Sequence, residues 1–141
     1  MFSRCVLTSL ETLVSLGAVP TVKVGSGVHM TVVRIECSRI SDWDTFHTVF
    51  AESFGFPSFY GRNMNAWIDC MSYLDDLEAG MSTVTVPVGE VLTLHLEGVD
   101  EFAIRCSEKY TALIECAAFV NWRRSSEGNG AILALAFYKH T

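Results

Sequence analysis

The sequence predicts an α/β domain, with a small parallel sheet of about three strands packed against helices, preceded by an N-terminal extension. Three short stretches rich in β-branched or apolar residues are typical of strands, and they occupy residues 30–37, 91–97 and 131–138. The segments between them carry apolar residues at helical spacing. The order strand, helices, strand, helix, strand is one that right-handed crossovers join into a parallel sheet.

Residues 1–28 are predicted to be the extension, and residues 29–141 the domain. The first twenty residues carry a helix-like apolar pattern that ends near Gly17, and residues 19–28 are predicted to be a linker from their Pro, Gly and Ser content, so the extension is expected to pack weakly or to be mobile. A signal peptide is the competing interpretation. It is disfavoured because Glu11 lies within the apolar run and no small-residue cleavage motif follows. The run is also too short to cross a bilayer.

The first helix is predicted for residues 42–52. Ser41 precedes an apolar-periodic segment that has Asp44 three residues later, which is a capping-box arrangement. His47 lies among the residues that would face the core, and we interpret it as a core or rim histidine without a catalytic role. The residues expected to be buried are Trp43, Phe46, Val49 and Phe50.

A loop in which Gly and Pro alternate with aromatic residues leads into the second helix, predicted for residues 62–77 and ended by Gly80. The apolar side of this helix consists of Ala66, Trp67, Cys70, Leu74 and Leu77. The opposite side is a polar stripe, flanked by Ile68 and Tyr73, that consists of Arg62, Asn65, Asp69, Ser72 and Asp76. Five acids and one base lie between residues 52 and 78, so this stripe is expected to be anionic.

The rest of the chain alternates strand and helix signals. Residues 81–87 fit either an edge strand limited by Pro87 or an extended loop. Residues 100–124 have a helical pattern with a break near Ser107, and residues 125–130 form a turn. The last strand, residues 131–138, is nearly continuously apolar, which is typical of the buried middle of a parallel sheet.

Composition indicates one domain with a substantial core, because half of the 141 residues are hydrophobic and only 18% are charged. The net charge of −6 argues against direct nucleic-acid binding, which depends on Lys and Arg neutralising phosphates. A basic partner is the natural complement. The sequence shows no repeats and no low-complexity tract.

The five cysteines are odd in number, widely spaced and set in apolar surroundings. They form no Cys-x-x-Cys pair, so we interpret them as reduced core thiols of a cytoplasmic protein. The four histidines show no paired spacing with the cysteines, which disfavours zinc, although a mixed site assembled by the fold stays open. No cofactor is expected.

Residues 60–71, Tyr-Gly-Arg-Asn-Met-Asn-Ala-Trp-Ile-Asp-Cys-Met, resemble the signature of the barstar family, intracellular inhibitors of barnase-type ribonucleases. That signature reads Tyr-Gly-x-Asn-Leu-Asp-Ala, then Asp-Cys-Leu. Residues 42–57, a short helix closed by Phe-Pro, match as well, and the order of elements extends the resemblance loosely over residues 30–138. The resemblance implies a barstar-like fold and a basic ribonuclease as partner.

The resemblance also implies roles for individual residues. Asp69 is the carboxylate that enters the ribonuclease active site, where it replaces a substrate phosphate among Arg, Lys and His. Asn65 stands where the signature has an aspartate, and it keeps the shape but loses the charge. Phe59 stands for the first of two tyrosines, Tyr60 matches the second, and Ser72 matches a threonine whose hydroxyl can donate to the partner.

Other positions of the expected interface are less direct. Tyr73 and Leu74 replace a glycine and a tryptophan at its far end. Gly61 and Asn63 set the loop and the start of the helix, contact the partner, or do both. A further acid on the last helix of the family has two candidate positions in this chain, which are Glu115 and Asn121.

We therefore expect a cytoplasmic inhibitor that plugs the basic active site of a barnase-like ribonuclease with Asp69. The alternative is a non-inhibitory interaction module that keeps the fold for another partner, which Asn65 makes credible. An enzyme built on Asp69, Cys70 and His47 is disfavoured, because Asp69 and Cys70 point about 100° apart on a helix and Cys70 lies on its apolar side. No nucleophile elbow, Walker loop or dinucleotide fingerprint is present.

Overall fold

The computed structural model describes residues 21–24 and 28–138, and its sheet contains strands β1 (Thr21–Val24), β2 (Val28–Glu36), β3 (Leu92–Glu97) and β4 (Leu133–Ala136) in the order β1-β2-β3-β4. Strands β2, β3 and β4 are parallel, as predicted. In the register, Val33 lies beside Leu94 and Leu94 beside Leu135. Along β3, buried leucines alternate with half-buried residues, so one face of the sheet meets the core.

Strand β1 corrects the prediction for the N-terminal side. It pairs antiparallel with the start of β2, from Thr21 beside Thr31 to Val24 beside Val28. The linker predicted for residues 19–28 is therefore wrong for residues 21–24 and 28, where β-branched residues extend the sheet. The helix predicted within residues 1–20 lies outside the described residues, and the division into residues 1–28 and 29–141 stays a prediction.

Strand β4 is an edge strand of the described sheet, which corrects the middle position that its apolar sequence predicted. The middle of the three parallel strands is β3. Strand β4 covers only four residues and forms hydrogen bonds on one side, while the long helix next to it holds its start through Asn121. The nearly continuous apolar sequence of this strand correctly predicted that Leu133 is buried. It could not predict the position of the strand within the sheet.

Helix α1 (Trp43–Phe54) begins at a capping box whose residues differ from those predicted. Asp42, rather than Ser41, is the N-cap, and its carboxylate accepts from the backbone N–H of Thr45 at 2.8 Å, while the Thr45 hydroxyl accepts from the Asp42 N–H. Trp43 is only partly buried, whereas Phe46, Val49 and Phe50 are in the core as predicted. Gly55 ends the helix at φ +65°, and a Cβ there would collide with Thr83.

Helix α2 (Met64–Ser72) is much shorter than predicted. Beyond it the chain turns, and a 3-10 turn (Leu77–Ala79) follows with Asp76 as its N-cap. Leu77, which was expected on the apolar side of a long helix, is exposed. The carbonyl of Ser72 accepts a hydrogen bond from Arg124 at 2.9 Å, so a side chain from another element satisfies the backbone where the helix ends.

The structure answers two questions that the sequence left open, on residues 81–87 and on the break in the later helical region. Residues 81–87 form an extended loop rather than a strand, with the N–H groups of Val84 and Val86 bonded to Phe54 and Leu74. The helical region is divided at Cys106, as the predicted break implied, into α3 (Val99–Arg105) and α4 (Ser107–Ser126). Helix α4 packs against α2, α3 and β4, and it thereby joins the candidate binding helix to the sheet.

Candidate protein-binding surface

Helix α2 presents the polar face that its spacing predicted. Trp67, Cys70 and Met71 point into the core, with at most 1% of their surface exposed, whereas Asn65 and Asp69 are exposed. The helix is fixed at both ends, because Asn63 caps its start and Arg124 bonds the carbonyl of Ser72 at its end. Side chains on this face are therefore carried by a rigid support.

Asp69 lies at the surface, with 54% of its side chain accessible. Its nearest cation is Arg123 of α4, whose Nη2 lies 3.4 Å from Oδ1. That separation is long for a charge-assisted hydrogen bond, for which about 2.8 Å is ordinary. The carboxylate is therefore oriented by Arg123 but still open to a cation from outside.

Ser72 does not offer the free hydroxyl that was predicted. The residue is buried, its Oγ lies 2.7 Å from the Ile68 carbonyl oxygen and donates to it, and the same Oγ accepts from Nη2 of Arg123 at 2.7 Å. These two bonds occupy the hydroxyl inside the protein. In this structure the Ser72 hydroxyl therefore holds Arg123 in place, and a contact between Ser72 and a partner stays a prediction.

Asn63 and Gly61 shape the start of α2. The Asn63 side chain accepts from the Ala66 N–H at 2.8 Å and donates to the Gly61 carbonyl at 3.2 Å, as an N-cap does. Between them, Arg62 adopts φ +54°, a backbone region that non-glycine residues rarely occupy. Its guanidinium bonds Asp44 at 2.7 Å and Thr48 at 2.9 Å, so contacts with α1 hold this conformation. The structural role of Asn63 as an N-cap is thus observed, and Gly61 and Arg62 before it remain exposed.

The aromatic loop divides into an exposed tip and an anchor. Phe59 is 72% exposed, so its ring is available for contact. Tyr60 packs on Phe56, with ring centroids 4.6 Å apart, and its hydroxyl lies 2.5 Å from Nδ1 of His47. Burial raises the pKa of Tyr60, so its hydroxyl keeps its proton and can donate to the neutral imidazole. Tyr60 therefore fixes the loop more than it offers a polar group to a partner.

His47 makes the stability of the fold sensitive to pH. Burial, together with nearby Arg62, lowers the pKa of His47 to about 4, against 6.5 for the free side chain. Because only the unfolded chain takes up this proton between these values, the free energy of unfolding should be highest above pH 6.5 and fall as the pH drops towards 4, by up to about 3 kcal/mol. Urea unfolding across pH 4–7 would measure this. His47→Gln should lose this dependence, and equal slopes for both proteins would contradict it.

The side chains considered for catalysis are not assembled for it. Cys70 is buried, and burial with the adjacent Asp69 charge raises the pKa of its thiol to about 11. His47 is bonded to Tyr60 rather than to a nucleophile. The four cysteines within the described residues have free thiols. In the same part of the chain, no group of three or more His, Cys, Asp or Glu side chains could hold a metal ion.

Residues of α4 that sequence reasoning missed complete the surface. A groove of about 320 Å³ lies between α2 and the end of α4, lined by Asp69, Ser72, Tyr73, Asp75, Asp76, Arg123, Arg124, Glu127 and Asn129. Arg124 forms a two-bond ion pair with Asp75, at 2.7 and 3.2 Å. The neighbouring arginines at the end of a helix were visible in the sequence, but their partners lie about fifty residues away. The groove contains four acids and two arginines. The arginines therefore offset part of the negative charge that was predicted for the polar stripe of α2.

Glu115 and Asn121, the two candidate positions for the further acid of the last helix, have different surroundings in the structure. Asn121 faces β4, where its amide bonds the backbone of Ile132 and Leu133. Glu115 is exposed and lines a second groove with Met64, at the start of α2. Of the two positions, Glu115 therefore lies beside the candidate surface and Asn121 serves the scaffold.

Comparison with known proteins identifies the family of this chain. No curated protein matches the chain. The helices of the described region include none that is both long enough and apolar enough to traverse a bilayer. A family model described as Barstar (barnase inhibitor) matches residues 30–134, well over half of the chain. Its members are inhibitors that bind barnase-type ribonucleases. With its three parallel strands, its four described helices and this match, the chain belongs to the barstar family.

Proposed function

We propose that this chain is a cytoplasmic inhibitor of a barnase-like ribonuclease, and that it occupies the basic active site of that enzyme with Asp69. The observation that carries the proposal is the exposed carboxylate of Asp69 on a short helix fixed at both ends. Inhibition of this kind is steric and electrostatic, so it needs neither a cofactor nor catalysis by the inhibitor. The partner is a protein rather than a nucleic acid or a membrane.

Pre-organisation supports this role for Asp69. A carboxylate that substitutes for a phosphate must meet several cationic side chains at once, and ordering it during binding would reduce the affinity. Here Arg123 already orients the side chain, and Arg123 is itself held by Ser72. The carboxylate can therefore accept short hydrogen bonds from a guanidinium with little further ordering.

Electrostatics support the same partner. The chain carries a net charge of −6, and the groove beside Asp69 keeps two more acids than arginines. A basic cleft would be attracted over a distance of about one Debye length, roughly 8 Å at physiological salt, which raises the association rate. The complex should consequently form more slowly as the salt concentration rises.

The remaining predicted residues take different parts in this proposal. Asn65, Phe59 and Tyr73 are exposed and would flank Asp69 in the interface. Tyr60 and Asn63 would act indirectly, because each holds the loop or the helix start in place. Gly61 is exposed between them, where its carbonyl accepts from Asn63.

The direct test is RNA cleavage by barnase in the presence of the purified full chain. We expect stoichiometric loss of cleavage at low ionic strength and weaker inhibition in salt. A panel of other basic ribonucleases of the barnase type extends the test to a partner that differs from barnase. If none of these enzymes is bound or inhibited, the proposal is wrong.

Asn65 favours the second candidate, a non-inhibitory interaction module with another partner. If a barnase-type enzyme is the partner, Asn65→Asp should restore a charge and strengthen binding by about fivefold, since a hydrogen bond to a charged group contributes about 1 kcal/mol more than one to a neutral amide. Titration calorimetry would measure this. Ser38→Asp, which adds the same charge at an exposed site outside α2, is the control. Unchanged or weaker binding of Asn65→Asp would favour the alternative.

A further inference from the structure

Two exposed aromatic side chains lie on α4. Trp122 is 64% exposed and Phe119 is 40% exposed, and their ring centroids are 5.6 Å apart. Single exposed apolar residues are common on protein surfaces and need no explanation. A tryptophan packed against a second aromatic ring, with an arginine beside them, has instead the composition of an interface hot spot.

This aromatic pair is continuous with Asp69. The guanidinium of Arg123 lies over the ring of Phe119, 5.9 Å from its centroid, and the same guanidinium reaches Asp69 and Ser72. Helices α2 and α4 run side by side in the same direction, because Met64 shares a groove with Cys116 whereas Ser72 contacts Arg123 and Arg124. A protein seated on the exposed face of α2 would therefore meet the adjoining face of α4.

We propose that Phe119 and Trp122 form a second contact region for the ribonuclease that binds Asp69, and that an Arg or Lys of that enzyme stacks on Trp122. This inference rests on the proposed function. A basic enzyme offers cations around its cleft, and an indole face is the best aromatic acceptor of a cation. One side of Phe119 already lies against Arg123, so Trp122 is the ring with a face to offer.

Arg123 makes the two regions interdependent. Its guanidinium orients Asp69 at one side and lies over Phe119 at the other. A partner that covers Phe119 would shield the pair of Asp69 and Arg123 from water, and removing solvent strengthens electrostatic interactions. The contact on α4 should therefore slow dissociation more than it speeds association.

Binding of barnase and the same panel of basic ribonucleases to full-length variants tests the inference. Trp122→Ala should weaken binding by about tenfold and Phe119→Ala by about threefold, mainly through faster dissociation, as expected for hot-spot and cation–π contacts. Ile104→Ala is the matched control, because Ile104 is 83% exposed on α3 and its truncation should leave the dissociation constant unchanged. Unfolding by urea would verify that each variant is folded.

A spectroscopic measurement reports on Trp122 alone. When the chain is labelled with 5-fluorotryptophan, its three tryptophans give separate ¹⁹F resonances, and Trp122→Phe assigns the one of interest. Addition of unlabelled enzyme should shift the Trp122 resonance and remove its solvent isotope effect, whereas buried Trp67 should change little. An unshifted Trp122 resonance in a saturated complex would overturn the inference.

The outcomes distinguish this inference from the function on which it rests. If Asp69→Ala weakens binding while Trp122→Ala and Phe119→Ala do not, the proposed function stands and the second contact is wrong. If the wild-type chain binds none of the enzymes, both are wrong. Weakening by Trp122→Ala without weakening by Asp69→Ala would support the contact on α4 and overturn the role of Asp69.

Discussion

Asp69→Ala should weaken binding to a barnase-type ribonuclease by at least about 30-fold. Truncating one partner of a buried, hydrogen-bonded charge pair typically costs 2–5 kcal/mol, and barnase with barstar is among the systems that established this range. The exposed carboxylate of Asp69 would be enclosed in the complex, so the enzyme's cations would lose their counter-charge. Dissociation constants from 50 to 300 mM salt would measure both the loss and its salt dependence.

Two controls separate contact from long-range charge. Glu101→Ala removes the same charge from an exposed position on α3, so it should affect only the association rate and only slightly. Asp69→Asn keeps the shape and one acceptor, and should fall between wild type and alanine. If Asp69→Ala and Glu101→Ala behave alike, Asp69 contributes only to the overall charge and the site is wrongly assigned.

Asp75→Ala should reduce the free energy of unfolding by about 3 kcal/mol. The Asp75 and Arg124 side chains are only 14% and 11% exposed, and two hydrogen bonds join them. Removing the carboxylate leaves a largely buried guanidinium without its counter-charge, which is more costly than losing a surface pair. Urea unfolding monitored by circular dichroism at pH 7 would give the change.

Glu78→Ala is the matched control, because Glu78 is an exposed acid three residues further on. Surface substitutions of this kind usually change stability by less than about 0.5 kcal/mol. Arg124 also bonds the carbonyls of Ser72 and Gly130, so Asp75→Ala should loosen the end of α2 and the turn after α4. Equal stability of the two variants would show that the ion pair is not essential to the fold.

Local sequence signals predicted much of the candidate site. Helical spacing indicated that Trp67 and Cys70 face the core while Asn65 and Asp69 face outward, and the structure has them so. Such spacing is reliable because side-chain direction along a helix follows from backbone geometry alone. The capping function of Asn63 is likewise local, since the cap and the N–H that it accepts from are three residues apart.

Interactions between distant segments explain what was missed. Helix α2 ends at Ser72 rather than near residue 77. At this end of the helix, Arg123 bonds the hydroxyl of Ser72 and Arg124 bonds its carbonyl. The same arginines reduce the negative charge of the surface that the local count of acids predicted. Hydrogen bonds and ion pairs between residues about fifty positions apart produce no periodic pattern in the sequence of either segment, so they could not be predicted from it.

The sequence alone determined the α/β class, the alternation of buried and exposed residues, and the motif that matches the barstar family. Each of these depends on the covalent chain and on side chains within a few residues of one another. Only the tertiary structure decided that Ser72 is internal, that β4 lies at an edge and that Asp69 joins an aromatic surface through Arg123. These features depend on which faces pack together, and that choice minimises the free energy of the whole chain rather than of any one segment.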